Sequence, residues 1–230
     1  MKVYFDTEFT GLDHRNPQLI SIGMIAESGE KFYAEFTDYD KKLINDWVQE
    51  NVIEKTILYT RKHGGLQWDD SIKYISEHYP GTARVNALGF TYVVGDTRYI
   101  LEKLNKWLDI ISEHGAEQIQ LISDVCHYDM YLLCNQVFGG AFNLPSFVNP
   151  VCYDICQDLT IKVSIPSVFN CFSEDILDLP TANAEVMKHA FDASREVICK
   201  VYNDELPKGD KHNALYDAEV IKMIYEGMRK

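Results

Sequence analysis

Asp6, Thr7 and Glu8 follow the first apolar run of the chain, Lys2–Phe5. In a strand, residues two apart share a face, so Asp6 and Glu8 project together from its end. Adjacent carboxylates repel, and a hard divalent cation that takes oxygen ligands relieves the repulsion. Asp-x-Glu alone is a weak signal in an acidic chain, because such side chains are usually solvated. Asp129 strengthens it. On a helix expected over residues 129–138, Leu132, Leu133 and Val137 fall at i+3, i+4 and i+8, which puts Asp129 on the core-facing stripe. A carboxylate there is paired, metal-bound, or an N-terminal residue favoured by the helix dipole. Asp124, at the end of the preceding strand, is its rival or a cap. Asp217 repeats the pattern among Ala214, Ala218 and Ile221, and the two alanines allow close approach to a sheet. His212 would point roughly 140° from Asp217 if the segment were all helix, so it reaches the same place only from the loop over residues 207–211.

Each piece alone has a plain structural reading. Together they are two strand carboxylates, two helix carboxylates and a loop histidine. Four carboxylates converge only if cations neutralise them. Two Mg²⁺ or Mn²⁺ about 4 Å apart would do so, the arrangement used for in-line phosphodiester cleavage. His212 would then accept a proton from the attacking water, since imidazole titrates near neutral pH.

These groups need a scaffold. Lys2–Asp6, Leu19–Ala26 and Lys31–Phe36 read as strands, the last two antiparallel around Glu27-Ser28-Gly29-Glu30. Leu43, Ile44, Trp47, Val48 and Val52 have helical spacing over residues 41–52. A strand is expected at Phe90–Val94, a helix over 99–113, a strand at Ile119–Ile122, and helices over 185–202 and 213–228. Three leading strands followed by alternating elements predict an α/β layer with a mixed sheet. Residues 53–96 and 163–195 read as enlargements of one domain spanning 1–230.

The 230 residues and formal charge of −13 set limits. The length suits one domain, and 46% hydrophobic with 25% charged residues excludes wholesale disorder. No apolar run approaches the roughly 20 residues of a membrane span. Asp6 and Glu8 interrupt any signal-peptide core. The six cysteines form no C-x-x-C pair and read as free thiols, so a reducing, cytoplasmic setting is expected. The charge argues against gripping nucleic acid by a bulk positive field. It is compatible with a metal-centred site that holds a short end. Residues 60–65 (TRKHGG) and the lysines Lys208 and Lys211 are the best phosphate-contact candidates.

Phe5-Asp6-Thr7-Glu8-Phe9-Thr10-Gly11-Leu12 resembles the first motif of the DEDD 3′–5′ exonucleases, D-x-E-T-T-G-L. His127-Tyr128-Asp129-Met130-Tyr131-Leu132-Leu133 resembles the second, N-x-x-F-D-x-x-F-L, and His212-Asn213-Ala214-Leu215-Tyr216-Asp217 fits the H-x-A-x-x-D of the histidine-bearing (DEDDh, DnaQ-like) branch. The whole looks most like small bacterial and phage 3′–5′ exoribonucleases. The resemblance implies a ribonuclease H-like fold, with a mixed central sheet flanked by helices. It also implies two Mg²⁺, replaceable by Mn²⁺. Asp6 would bridge them, Glu8 and Asp217 would hold one, Asp129 would serve the other, and His212 would be the general base. Thr7, Phe9, Thr10 and Leu12 would contact the terminal nucleotide. Single-stranded RNA 3′ ends would be shortened to nucleoside 5′-monophosphates. DNA is the alternative substrate, since no motif reads the 2′-hydroxyl. A homodimer is a further expectation. A departure at Asp124, where the family carries Asn, leaves the assignment between Asp124 and Asp129 open. A binding module without catalysis is a competing class. A two-carboxylate glycosidase is disfavoured, because Asp6 and Glu8 lie about 7 Å apart on one strand and point the same way.

Overall fold

The computed structural model describes residues 1–12, 15–63, 84–85, 89–157, 207 and 209–229. The enlargement expected at 163–195, most of the one at 53–96, the helix over 185–202, and Gly64, Gly65, Lys208, Cys171 and Cys199 lie outside the described residues.

Among the described residues, seven strands form one mixed sheet in the order β4-β5-β3-β2-β1-β6-β7. They are β1 (Lys2–Phe9), β2 (Leu19–Ala26), β3 (Lys31–Phe36), β4 (Arg84–Val85), β5 (Phe90–Gly95), β6 (Gln120–Ser123) and β7 (Tyr153–Asp154). β2 is antiparallel to both β1 and β3. β5 runs parallel to β3, β6 to β1 and β7 to β6, while the short edge strand β4 is antiparallel to β5. Every residue of β2 is buried, because both faces of this central strand are covered. The arrangement is the mixed α/β sheet of a ribonuclease H-like fold.

The described residues also contain α1 (Asp46–Asn51), α2 (Ile57–Lys62), α3 (Thr97–Ile111), α4 (Cys126–Leu132) and α5 (Ala214–Gly227). Alternation along β1 divides the core. Val3 and Phe5 pack with Ile100, Leu104 and Trp107 of α3 and Leu132 of α4. Tyr4, between them, points the other way and packs with Ala218, Ile221 and Ile224 of α5. Helices therefore cover both faces. No helix among the described residues is long and apolar enough to cross a membrane.

Three local expectations change. β1 runs three residues beyond Asp6, so Asp6, Thr7 and Glu8 all belong to it. The expected helix over 41–52 is broken into a 3₁₀ turn at Lys41–Leu43 and α1. Asp40 caps the first, accepting from the Lys42 N–H, and Asn45 caps the second, accepting from that of Val48. Val48 and Val52 pack on Ile20, but Trp47 is 54% exposed rather than in the apolar stripe. Finally, α4 begins at Cys126, so Asp129 lies in its first turn, and the expected helix ends as a π-helical turn over Leu133–Val137.

Candidate active site

The β1–β6 ladder pairs only Lys2, Val3 and Tyr4 with Gln120, Leu121 and Ile122. β6 ends one residue beyond it, at Ser123, with Asp124 next, while β1 runs on through Asp6 and Glu8 to Phe9. A crevice outside the carboxyl ends of parallel strands is a common position for ligands in α/β sheets.

From β1, Asp6 and Glu8 share the face covered by α5. At Gly23, opposite Asp6 on β2, a Cβ would lie 2.3 Å from the carbonyl carbon of Ala214 and from the Leu215 nitrogen. Only a residue without a side chain admits α5 this closely. Ala214 and Ala218 are fully buried at the contact. The approach brings Asp217 to Glu8. One ligand atom each from Glu8, His212 and Asp217 lie within 4.8 Å of one another.

His212 reaches this group from the turn before α5. Its backbone is left-handed (φ 66°), uncommon for a residue with a side chain, and its N–H donates to Asp217 Oδ2 at 2.7 Å. Its Nδ1 is 3.9 Å from Glu8 Oε1. Trp47 meets the imidazole edge-on, with ring centroids 5.2 Å apart. The next residue, Asn213, caps α5 by accepting from the N–H groups of Leu215 and Tyr216. Its side-chain amide donates to the Tyr33 hydroxyl (3.3 Å) and the Lys55 carbonyl (3.0 Å). Tyr33 in turn hydrogen-bonds Glu35. Glu35 is buried and accepts from the N–H groups of Ile57 (2.6 Å) and Leu58 (3.0 Å) at the start of α2. The histidine turn is thus tied into the sheet and to α2.

A second group lies beside the first. Asp6, Asp124 and Asp129 each offer an oxygen within 4.8 Å of the others. Asp129 is 4% exposed. Its Oδ1 accepts from the Thr7 N–H (3.1 Å) and hydroxyl (2.6 Å), and its Oδ2 from the Ser123 hydroxyl. Thr7 is buried and directed at Asp129. Asp124 stands at the start of the turn into α4, where its own N–H and that of Val125 hold its carboxylate, and the positive charge of Lys211 faces it.

Burial first, then mutual repulsion, raises the proton affinity of this cluster. Asp6 is well above the usual carboxylate range, through burial and then the charges of Asp129, Glu8, Asp217 and Asp124. Glu8 is likewise raised by burial and by Asp217, Asp129 and Asp124. Burial and Asp124 push Asp129 up to about 7 against its hydrogen bonds from Ser123 and Thr7. Burial and the charge of Asp154 raise Asp124 to about 6. Asp6 Oδ2 is buried with no hydrogen-bond partner. An orphaned carboxylate oxygen facing other carboxylates is costly unless a cation occupies the gap. The donors are hard oxygens with one imidazole, the set that divalent Mg²⁺ or Mn²⁺ accepts. The residues present fit such ions.

Around the mouth, Phe9 contacts Tyr128 (centroids 6.4 Å apart), which lies against His127 (4.0 Å). Leu12 is 67% exposed, whereas Thr10 is fully buried. The Thr10 hydroxyl accepts from the Gln18 N–H at 3.0 Å. All five residues carrying the sequence pattern (Asp6, Glu8, Asp129, His212 and Asp217) therefore fall in the two adjoining groups. Sequence reasoning left Asp124 open and did not single out Ser123, Gly23 or the Trp47 contact. Asn213 opens the helix expected over 213–228, but it stands outside α5 as its cap, and its bonds to Tyr33 and Lys55 had no signal in the sequence. The four described cysteines, Cys126, Cys134, Cys152 and Cys156, are free thiols.

No protein-family model matches the chain. Over 55 residues it is 40% identical to 3′-5′ exoribonucleases of two Mycobacterium tuberculosis strains, CDC 1551 / Oshkosh and ATCC 25618 / H37Rv. The match covers 24% of this chain and spans about a third (32%) of the length of each relative. It is a distant, partial similarity to nucleases, joined to a mixed α/β sheet and an acidic cluster that suits metal ions.

Proposed function

We propose that the chain is a divalent-metal-dependent 3′–5′ exonuclease, acting on single-stranded RNA ends and releasing nucleoside 5′-monophosphates. The observation that carries this reading is the pair of adjoining acidic groups that meet at β1, with a buried Asp6 oxygen lacking a partner between them. The partial likeness to mycobacterial exoribonucleases supports the polarity and the polymer.

Glu8 and Asp217 would hold one cation, Asp129 with Asp124 the second, and Asp6 both. Two Mg²⁺ bound there, or Mn²⁺ in their place, would supply positive charge that stabilises the phosphate as it becomes five-coordinate. The protein's own groups do the rest. His212, part-exposed and held by its backbone bond to Asp217, takes the proton of the attacking water. Phe9 and Leu12 offer apolar surface to the terminal nucleotide, the kind of contact that tolerates any base. Thr7 acts on Asp129 and Thr10 on the turn beside it.

The test is digestion of matched RNA and DNA oligomers, labelled at either end, with Mg²⁺ or Mn²⁺. RNA labelled at its 5′ end should give a ladder shortened one nucleotide at a time, and 3′-labelled RNA should release labelled mononucleotide first. Preferential loss of DNA would make the enzyme a DNA exonuclease. Survival of both polymers would refute the reading. His212→Ala should lower kcat about 10²–10⁴-fold, the usual share of a general base, with metal binding retained. Weakened metal binding instead would make His212 a ligand.

A further inference from the structure

A cavity lies outside the two acidic groups and shares none of their residues. It has a volume of about 370 Å³ and opens between the start of β2, the end of β3, the start of α3 and the helix that carries Asp129. Its floor is Leu19 and Phe36, and its walls include Asn16, Gln18, Asp38, Tyr131 and Asn135. That size is within the range of small-molecule sites.

The cavity begins where the reacting end of β1 stops. Leu19 pairs with Phe9, the residue after Glu8, and Gln18 is bonded to Thr10 on both its N–H and its carbonyl. Phe9 touches Tyr128, and Tyr131, 52% exposed, stands one turn further along the same helix. An apolar and aromatic path therefore leads from the carboxylates to the cavity mouth. The wall is fixed by Gln136 in the π-helical turn. Its side-chain oxygen accepts from the Leu19 N–H (2.9 Å) and its amide donates to the Pro17 carbonyl. One side chain thus joins the helix to the first residues of β2. π-Helical turns of this kind occur disproportionately at functional sites.

The chemistry of the lining selects its ligand. Among the described residues that line it there is no Lys, Arg or His, and the charged one is Asp38. A phosphate would be repelled. Four amides, two tyrosines and a carboxylate instead suit a flat, uncharged group that carries both donors and acceptors. An exposed tyrosine at the rim supplies a stacking surface, worth about 1–3 kcal/mol per base in single-strand binding.

We propose that this cavity is a subsite for the penultimate nucleobase of the substrate, stacked on Tyr131 and hydrogen-bonded through Asn135, Gln18 and Asp38. The proposal rests on the nuclease reading and deepens it by placing the 5′ side of the cut. It makes the enzyme favour ends of at least two nucleotides over single-nucleotide esters.

The test compares thymidine 5′-monophosphate p-nitrophenyl ester, which carries no nucleobase on the far side of the scissile bond, with a 5′-labelled RNA hexamer. In Tyr131→Ala and Asn135→Ala, KM for the hexamer should rise about tenfold, the order expected for losing one stacked base. Hydrolysis of the ester should be unchanged. In a hexamer with one abasic residue, only the penultimate position should bring the wild type to the variant's KM. An unchanged hexamer KM, equal losses on both substrates, or an abasic effect at another position would overturn the subsite while leaving the nuclease reading intact. If neither substrate is cleaved, the nuclease reading fails. Fluorescence anisotropy of the same hexamers in Ca²⁺ then decides the subsite alone: Tyr131→Ala must weaken binding of the intact hexamer and not of the one abasic at the penultimate position, and any other pattern overturns it.

Discussion

Asp129 is held by three hydrogen bonds, two of them from Thr7 on a different element. A carboxylate that presents an oxygen to a cation needs its orientation fixed, and such supporting bonds typically account for 10–100-fold in metal affinity or activity. Thr7→Val keeps the shape and removes the hydroxyl. It should weaken the binding of Mn²⁺, measured by calorimetry, by about that factor while the fold is retained. Unchanged affinity would show that the Ser123 and backbone bonds suffice. At this scale the sequence was informative about which carboxylates matter, because strand alternation and helix stripes are short-range patterns. Asp6 and Glu8 follow from a spacing of two, and Asp217 from its apolar neighbours. It was silent on Ser123 and placed Thr7 at the nucleotide without its bonds to Asp129, because these bonds depend on how far β1 outruns β6.

At the scale of elements, the contact of α5 on β2 decides whether the two acidic groups exist. Gly23→Ala places a methyl group against the backbone of Ala214 and Leu215, so either the helix or the strand must move. Overpacking of a tight core costs about 1–3 kcal/mol, and here the displaced helix carries Asp217 and, just before it, His212. The variant should melt at a lower temperature and lose most activity. A wild-type Tm with wild-type activity would mean that α5 is not seated on Gly23. The sequence announced the strands through apolar runs and α3 through its stripe, with Ile100, Leu104, Trp107, Leu108 and Ile111 all buried. It gave a poorer account of residues 41–55. There Asp40 and Asn45 interrupt a helical pattern with caps, and Trp47 turns from the core to the histidine. Local polar bonds outcompeted the apolar period.

For the molecule as a whole, the acidic balance becomes a statement about pH. Asp129 and Glu35 are raised to about 7, Asp124 to about 6, and Asp6 and Glu8 are also raised. Unfolded carboxylates titrate near 4. A folded group with a higher value binds its proton more tightly than the unfolded chain does. Its contribution to stability is therefore present below about 4 and lost as pH rises to about 7. The surface pair Lys2–Glu27, which lowers the Glu27 value, works in the opposite sense but is solvent-screened. Metal-free protein should thus lose thermal stability between pH 5 and about 7.5, and Mg²⁺ or Mn²⁺ should restore it most at the upper end. Differential scanning calorimetry with and without chelator checks both. A metal-free Tm that climbs over this interval would contradict a cluster of buried, mutually repelling carboxylates.

The left-handed turn at His212 and the docking of α5 also carry a consequence for timing. β1 is the first described element of the chain and α5 the last, yet each supplies part of the Glu8–His212–Asp217 group. Chains are made from the N-terminus, and early segments collapse before late ones emerge. A growing polypeptide therefore carries Asp6 and Glu8 without these partners until the residues of α5 have been added. On the exoribonuclease reading proposed above, this order would keep the nascent chain inert beside the message and ribosome that are making it. Any product cut short before Asp217 stays inert as well.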